Sequence, residues 1–259
     1  MKVTHTVAET RAALDAARGA AIGLVPTMGA LHEGHLALLR AARSDNDTVV
    51  MSLFVNPAQF DEAVDLDAYP RDEEHDLEAA RAAGVDLVFA PSREEMYPPG
   101  FQTWVEPAEL GSVLEGAFRP GHFRGVSTVV LKLLEIVRPD RIYFGQKDAQ
   151  QAEVIRTLIR DLALEVELRV VPTVRDADGL ALSSRNALLS ATEREHAAVL
   201  PLALATKDPA TARELLTRSN GLDVEYVEVA DFHPRVLAAA VRVGRTRLID
   251  NVVLEGGSE

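Results

Sequence analysis

The 259-residue chain contains no cysteine. That excludes disulfides, thiol nucleophiles and zinc sites with thiolate ligands, leaving oxygen and imidazole as the side-chain donors for any metal. Positive charge is also scarce: 27 Lys and Arg stand against 40 Asp and Glu, a net charge of −13. Such a balance opposes broad attraction to polyanions such as tRNA or DNA, so no nucleic-acid partner is expected, although it leaves room for a local basic patch. No apolar run approaches the roughly 18 residues of a membrane span. Glu9, Arg11, Asp15 and Arg18 interrupt any signal-peptide core near the start. A cytoplasmic protein with no membrane partner is the expectation. Neither common glycine-rich phosphate motif, GxGxxG or GxxxxGK[ST], occurs, and no internal repeat is visible.

What is present reads as an ordinary globular composition, 47% hydrophobic and 26% charged. The length suits one large α/β domain or a domain with a smaller appendage. Short β-branched or apolar runs alternate with helical patterns, the signature of βαβ units. The patterns predict strands at residues 21–25, 48–54, 86–89, 141–144 and 165–171, with helices at 34–42, 72–83, 126–137 and 149–161. The implied fold class is α/β, a Rossmann-like, doubly wound parallel sheet. After Val171 the order changes to two helical stretches, around 192–206 and 209–218, then strands at 224–229, 236–243 and 246–253. We read residues 1–173 as the larger domain and 174–259 as a smaller C-terminal α+β domain, with a hinge near 172–178. The acidic runs DEAVDLD (61–67) and RDEEHDLE (71–78) read as solvated surface, and the final Gly-Gly-Ser as frayed.

In such sheets ligands sit beyond the carboxyl ends of the strands, where this chain puts its least ordinary residues: PTMGALHEGH, FVNPAQF and FGQKDAQQ. His32 and His35, three residues apart at a strand-to-helix corner, can present two imidazoles to one object at a helix N-terminus. Free amides, the helix dipole and two imidazole donors together suit phosphate. The same HxGH is also consistent with a surface or core histidine pair. The zinc pattern HExxH is not met, because the second histidine comes one residue too soon.

The blocks PTMGALHEGH, SLFVNPAQF, FRPGHFRGVSTVVLKL, FGQKDAQQ and GLALSSRN, in that order from Pro26 to Asn186, with TRLIDNVVLE near the end, resemble the pantothenate synthetase family. HxGH alone points only to the wider nucleotidyl-transfer superfamily. The resemblance implies a two-domain ligase, homodimeric through its N-terminal domain, whose C-terminal domain is a lid. It joins pantoate to β-alanine with ATP and Mg2+ by way of a pantoyl-adenylate, releasing AMP and diphosphate, a step of coenzyme A biosynthesis. It implies that His32, His35 and Lys147 are catalytic. ATP would be bound by Pro26, Met28, His35, Gly145, Lys147, Asp148, Val174, Ser183, Ser184 and Arg185. Pantoate would be held by Gln59 and Gln151, with Met28, Val129 and Val130 as apolar walls. His122 and Arg124 fall near the site or in a dimer contact, and Asn56 and Tyr69 support the loop carrying Gln59.

These roles agree with what the side chains can do. Neutral amides orient a carboxylate at less cost to its nucleophilicity than a paired cation would. Lys147 after a strand brings a point charge, and Ser-Ser-Arg offers hydroxyls and a forked cation. Read alone, Lys147 is equally a surface lysine, SSRN a turn with a helix cap, and Val129 and Val130 core residues. No protein metal site is expected; magnesium arrives with ATP. The chain departs from the family in a shortened region after Asn186 and in Ala149, where an aromatic residue is common and which we read as structural. The alternative function is a nucleotidyltransferase acting on a phosphorylated metabolite, which would not need Gln59 and Gln151.

Overall fold

The computed structural model describes residues 1–60, 66 and 69–254. Most of the acidic run 61–67, and the terminal Gly-Gly-Ser, lie outside the described residues. The chain forms two compact units, residues 1–144 with 154–171, and residues 145–153 with 172–259.

The first unit carries a six-stranded sheet ordered β1-β4-β3-β2-β5-β6. Its strands are β1 (Lys2–Thr4), β2 (Ile22–Thr27), β3 (Thr48–Leu53), β4 (Leu87–Phe89), β5 (Arg141–Gly145) and β6 (Glu167–Val171). Pairings β1 with β4, β4 with β3, β3 with β2 and β2 with β5 are parallel. Successive strand residues enter opposite cores. Leu24, Val50, Phe89 and Ile142 join the cluster that includes Leu14, Phe123, Val126, Leu133 and Ile155. Val25, Val49, Met51, Val88 and Tyr143 join the other, with Leu38, Leu39, Ala42 and Ala80. Strands buried on both faces explain the continuous apolar runs. One face is covered by α1 (Val7–Asp15), α6 (His122–Val137) and the later part of α7 (Ala149–Asp161), the other by α2 (Glu33–Asp45) and α3 (Glu73–Ala82). Short helices α4 (Arg93–Met96) and α5 (Glu115–Phe118) lie between β4 and α6.

The expected doubly wound layout is therefore present, and every strand and helix predicted in this unit is found within a few residues. Four elements were not anticipated: β1, three residues long, α1, which a Thr6–Glu9 capping box starts, and the short helices α4 and α5. The run read as surface from 71 to 78 needs one correction. Asp76 is only 2% exposed, because the run is helical from Glu73 onward and turns that residue inward. At the other end of the sheet, the Tyr143 hydroxyl accepts from Asn46 Nδ2 (2.7 Å) and donates to Asp45 Oδ2 (3.1 Å). Burial pushes this phenol up to about 12.

The second unit contains α8 (Ala191–Ala197), α9 (Val199–Leu204), α10 (Pro209–Arg218) and the strands β7 (Leu222–Ala230), β8 (Val236–Val243) and β9 (Thr246–Val253). The strands form an antiparallel meander ordered β7-β8-β9. Leu200, Leu204 and Leu216 pack with Leu237, Val241 and Leu248. Helix α10 spans 10 residues, in keeping with the short second helix expected after Asn186.

Candidate active site

The sheet positions the candidates of the first unit. The chain runs from β2 outward through β3 to β4, then returns to β5 on the other side of β2, so β2 stands where the strand order reverses. That is the switch point at which ligands of doubly wound folds bind, and the corner PTMGALHEGH follows β2 directly.

Two positive-φ residues, Gly29 at +84° and Ala30 at +51°, turn the chain out of β2. Asp76 holds this turn: its carboxylate accepts from Ala30 N (2.9 Å) and Leu31 N (2.7 Å). A Cβ on Gly29 would stand 2.7 Å from Asp76 Oδ2, so glycine is required there for both space and conformation. Asp76 is a contributor that reading the sequence missed, since nothing in an acidic run marks the one member that faces inward.

His32 is the N-cap of α2 rather than its first residue. Its Nδ1 accepts from Gly34 N (3.2 Å), while its own N–H donates to His35 Nδ1 (3.3 Å). The pair is a capping box built from imidazoles, and the rings lie 4.1 Å apart between centroids. A ring that accepts at Nδ1 carries its proton on Nε2. Both histidines are thus set as neutral Nε2–H donors, in one orientation, at the positive end of α2.

Gln59 is prepared with equal care. Asn56, 1% exposed, caps the 3₁₀ turn Pro57–Gln59. Its Oδ1 accepts from Ala58 N (3.3 Å) and the Tyr97 hydroxyl (2.8 Å), and its Nδ2 donates to Gln59 Oε1 (2.9 Å) and Gly125 O (3.2 Å). Because Gln59 Oε1 is the acceptor here, Nε2 is turned toward Met28, 3.2 Å from its Sδ. The Gln59 carbonyl lies 2.8 Å from His122 Nδ1 and accepts from Arg119 at 3.1 Å. Burial raises the Tyr97 phenol above its usual value, which keeps it a donor to Asn56. Tyr69 reaches toward Gly29 O (3.5 Å) and packs edge-on against Phe60, beside Gln59. Val129 and Val130 are 6% and 2% exposed members of the α6 core cluster. Pro26 is the fifth residue of β2, partly buried. His122 contacts the Gln59 loop, and Arg124 stacks over Trp104, 4.5 Å from the ring centroid.

The second unit holds the remaining candidates. After Gly145, residues Gln146–Asp148 form a 3₁₀ turn that leads into α7. Lys147 Nζ lies 3.3 Å from Asp148 Oδ1. A concavity gathers Lys147, Ser183 and Arg185, with Arg247, Asp250 and the apolar Leu180, Leu200 and Ile249 also lining it. Ser183 caps the 3₁₀ turn Ser184–Leu188, accepting from Arg185 N at 3.3 Å. Val174 accepts from Leu182 N (3.0 Å), next to the serines in the chain. Gly145, Asp148, Gln151, Val174 and Ser184 are outside the lining of this concavity. Ala149 is 7% exposed at the start of α7.

The fold and the corner define a class: a Rossmann-like α/β protein with an HxGH corner at its switch point. The chain belongs to the pantoate-beta-alanine ligase family, whose profile matches residues 2–253. A pantothenate synthetase of Moorella thermoacetica is 51% identical over 280 aligned positions, taking in 98% of this chain and 99% of its own. The crystal structure of pantothenate synthetase from Thermus thermophilus matches with a TM-score of 0.92 and 44% identity, covering 98% and 99% of the two chains. That of the pantoate-beta-alanine ligase from Francisella tularensis, complexed with beta-gamma ATP and beta-alanine, has a TM-score of 0.89 and 36% identity, covering 99% of each.

Proposed function

We propose that the protein condenses (R)-pantoate with β-alanine at the expense of ATP, through a pantoyl-adenylate, yielding pantothenate, AMP and diphosphate. The observation that carries this reading is the locked set of neutral donors in the first unit: His32 and His35 held as Nε2–H donors by their mutual cap, and Gln59 turned by Asn56 to offer Nε2. Donors without formal charge suit a carboxylate that must stay nucleophilic toward phosphorus.

In the first step the pantoate carboxylate attacks the α-phosphorus of ATP in line, and diphosphate leaves. Gln59 and Gln151 orient pantoate, and Met28, Val129 and Val130 meet its methyl groups. His32 and His35 donate to phosphate oxygens as charge builds on the pentavalent centre. Lys147, with Ser183, Ser184 and Arg185, holds the polyphosphate. Pro26, Gly145, Asp148 and Val174 complete the ATP contacts. In the second step the neutral amine of β-alanine attacks the acyl carbonyl and AMP departs with its electron pair. No covalent enzyme intermediate is formed.

Magnesium is assigned to the nucleotide substrate, whose phosphate oxygens are suitable hard ligands. We assign residues 1–173 to the ATP and pantoate sites and 174–259 to a lid. A homodimer through the N-terminal domain is proposed, as the family resemblance implies. No helix among the described residues is long and apolar enough to cross a membrane, and a cytoplasmic location is proposed.

The test is a product assay with ATP, magnesium, pantoate and β-alanine, each acid or amine omitted in turn. Pantothenate with AMP and diphosphate, only when both are present, is the expected result. Diphosphate release driven instead by a phosphorylated metabolite would favour the nucleotidyltransferase alternative.

A further inference from the structure

The 3₁₀ turn Gln146–Asp148 places Lys147, yet it has no side-chain cap of its own. It is held from β9. Asn251 Nδ2 donates to both Gln146 O and Lys147 O, each at 2.9 Å, and Asn251 Oδ1 accepts from Gln146 Nε2 at 3.1 Å. All three hydrogen bonds fall on the turn. Asn251 is 5% exposed and sits in a strand paired residue by residue with β8, opposite Ala238, so its backbone is a rigid base. Its own N–H donates to Asp250 Oδ1 (2.8 Å), and Asp250 is clamped by both arms of Arg175, at 2.6 and 3.1 Å.

The clamp has an electrostatic consequence. Asp250 lines the same concavity as Lys147, and a buried carboxylate there would draw the ammonium away from an incoming anion. Arg175 neutralises that carboxylate in a forked pair. Lys147 instead meets the half-exposed Asp148, a partner that substrate phosphate can displace.

We infer that Asn251 is a positioning residue for the reaction: by holding two carbonyls of the Gln146–Asp148 turn, it sets the place from which Lys147 reaches the polyphosphate. The inference rests on the proposed role of Lys147. An alanine at 251 leaves two carbonyls without these partners and frees the turn, whereas serine keeps a hydroxyl donor at lower reach.

The test is a double-mutant cycle of Asn251→Ala and Lys147→Ala, with kcat, the KM for each substrate and the melting temperature measured for all four proteins. Asn251→Ala alone is expected to lower kcat/KM for ATP by about 10- to 100-fold, the scale of a mispositioned donor, with the KM for β-alanine unchanged. In the Lys147→Ala background the same change is expected to cost less than about threefold, because coupled residues are not additive. A full multiplicative loss in that background, or wild-type ATP kinetics in a folded Asn251→Ala protein, would overturn the inference. Should Asn251→Ala not fold, Asn251→Ser carries the same cycle and the same expectations at smaller size. A Lys147→Ala enzyme with wild-type turnover would instead refute the role of Lys147, a failure distinct from that of Asn251.

Discussion

Each corner histidine combines a structural and a chemical task, and the choice of replacement separates them. His35 occupies the third helical position of α2, where glutamine completes a capping box as well as any residue. His35→Gln is therefore expected to keep the wild-type melting temperature yet lose on the order of 10²- to 10³-fold in turnover, the cost of one preorganised donor. His35→Ala should lose turnover equally and also about 1 kcal/mol of stability with the cap. Steady-state rates and thermal melts on the two variants check both statements. The amide network is open to the same treatment. Asn56→Asp leaves no N–H to meet Gln59 Oε1, so the Gln59 amide rotates and presents oxygen instead of Nε2. The KM for pantoate is expected to rise about 10- to 100-fold, matching the loss of a hydrogen bond to a charged group. At this scale the sequence singles out residues whose type carries its chemistry openly, as at His32, His35, Gln59 and Lys147. Asn56 was legible as a support of the Gln59 loop, three residues away in the chain. Asp76 and Asn251 were not legible as contributors, because each acts by satisfying backbone groups of a distant element, and spacing along the chain encodes no such partner.

Helix α6 meets the Pro57–Gln59 turn at Gly125, where a Cβ would stand 2.2 Å from Ala58 O and 2.7 Å from Gln59 N. Gly125→Ala must push the turn away, at an expected cost of about 1–3 kcal/mol for overpacking, and with it the Gln59 side chain. A fall in melting temperature together with a raised pantoate KM checks this; no change in either would place the turn elsewhere. Lowered carboxyl groups give a second expectation. Backbone N–H groups, of His5 first for Glu9, of Ser190 for Glu193 and of Ala177 for Asp176, hold these carboxyl groups below their ordinary values, and the Thr211 hydroxyl does the same for Asp208. A carboxyl group lowered in the folded state stabilises it above the ordinary values of 3.8 to 4.5 and loses that contribution as pH falls through the folded value. Melting temperature is expected to stay level from neutral pH down to about 5 and to drop below about 4.5, a window set by these carboxyl groups. Several elements long enough to show a period were readable in advance, β2, β3, α7 and all three strands of the meander, while the nine-residue α1 was not. β1 and the short helices α4 and α5 fall below that length, and tertiary packing alone stabilises them.

Across the whole molecule, the acidic balance of −13 gives an expectation about partners: tRNA should not be retained in filter binding at moderate salt. Relative to its homologue the chain is compact. The alignment with the Moorella thermoacetica protein spans 280 positions against 259 residues here, so the relative has residues for which this chain has none. The grouping of residues 145–153 with the C-terminal region was not legible, because a nine-residue return between units leaves no compositional mark. Pantoate labelled with ¹⁸O in its carboxylate tests the central claim most directly, by mass spectrometry of the products. If the carboxylate attacks the α-phosphorus and β-alanine then displaces the adenylate, AMP must carry one labelled oxygen and diphosphate none. Unlabelled AMP, or ADP in place of AMP, would contradict the account.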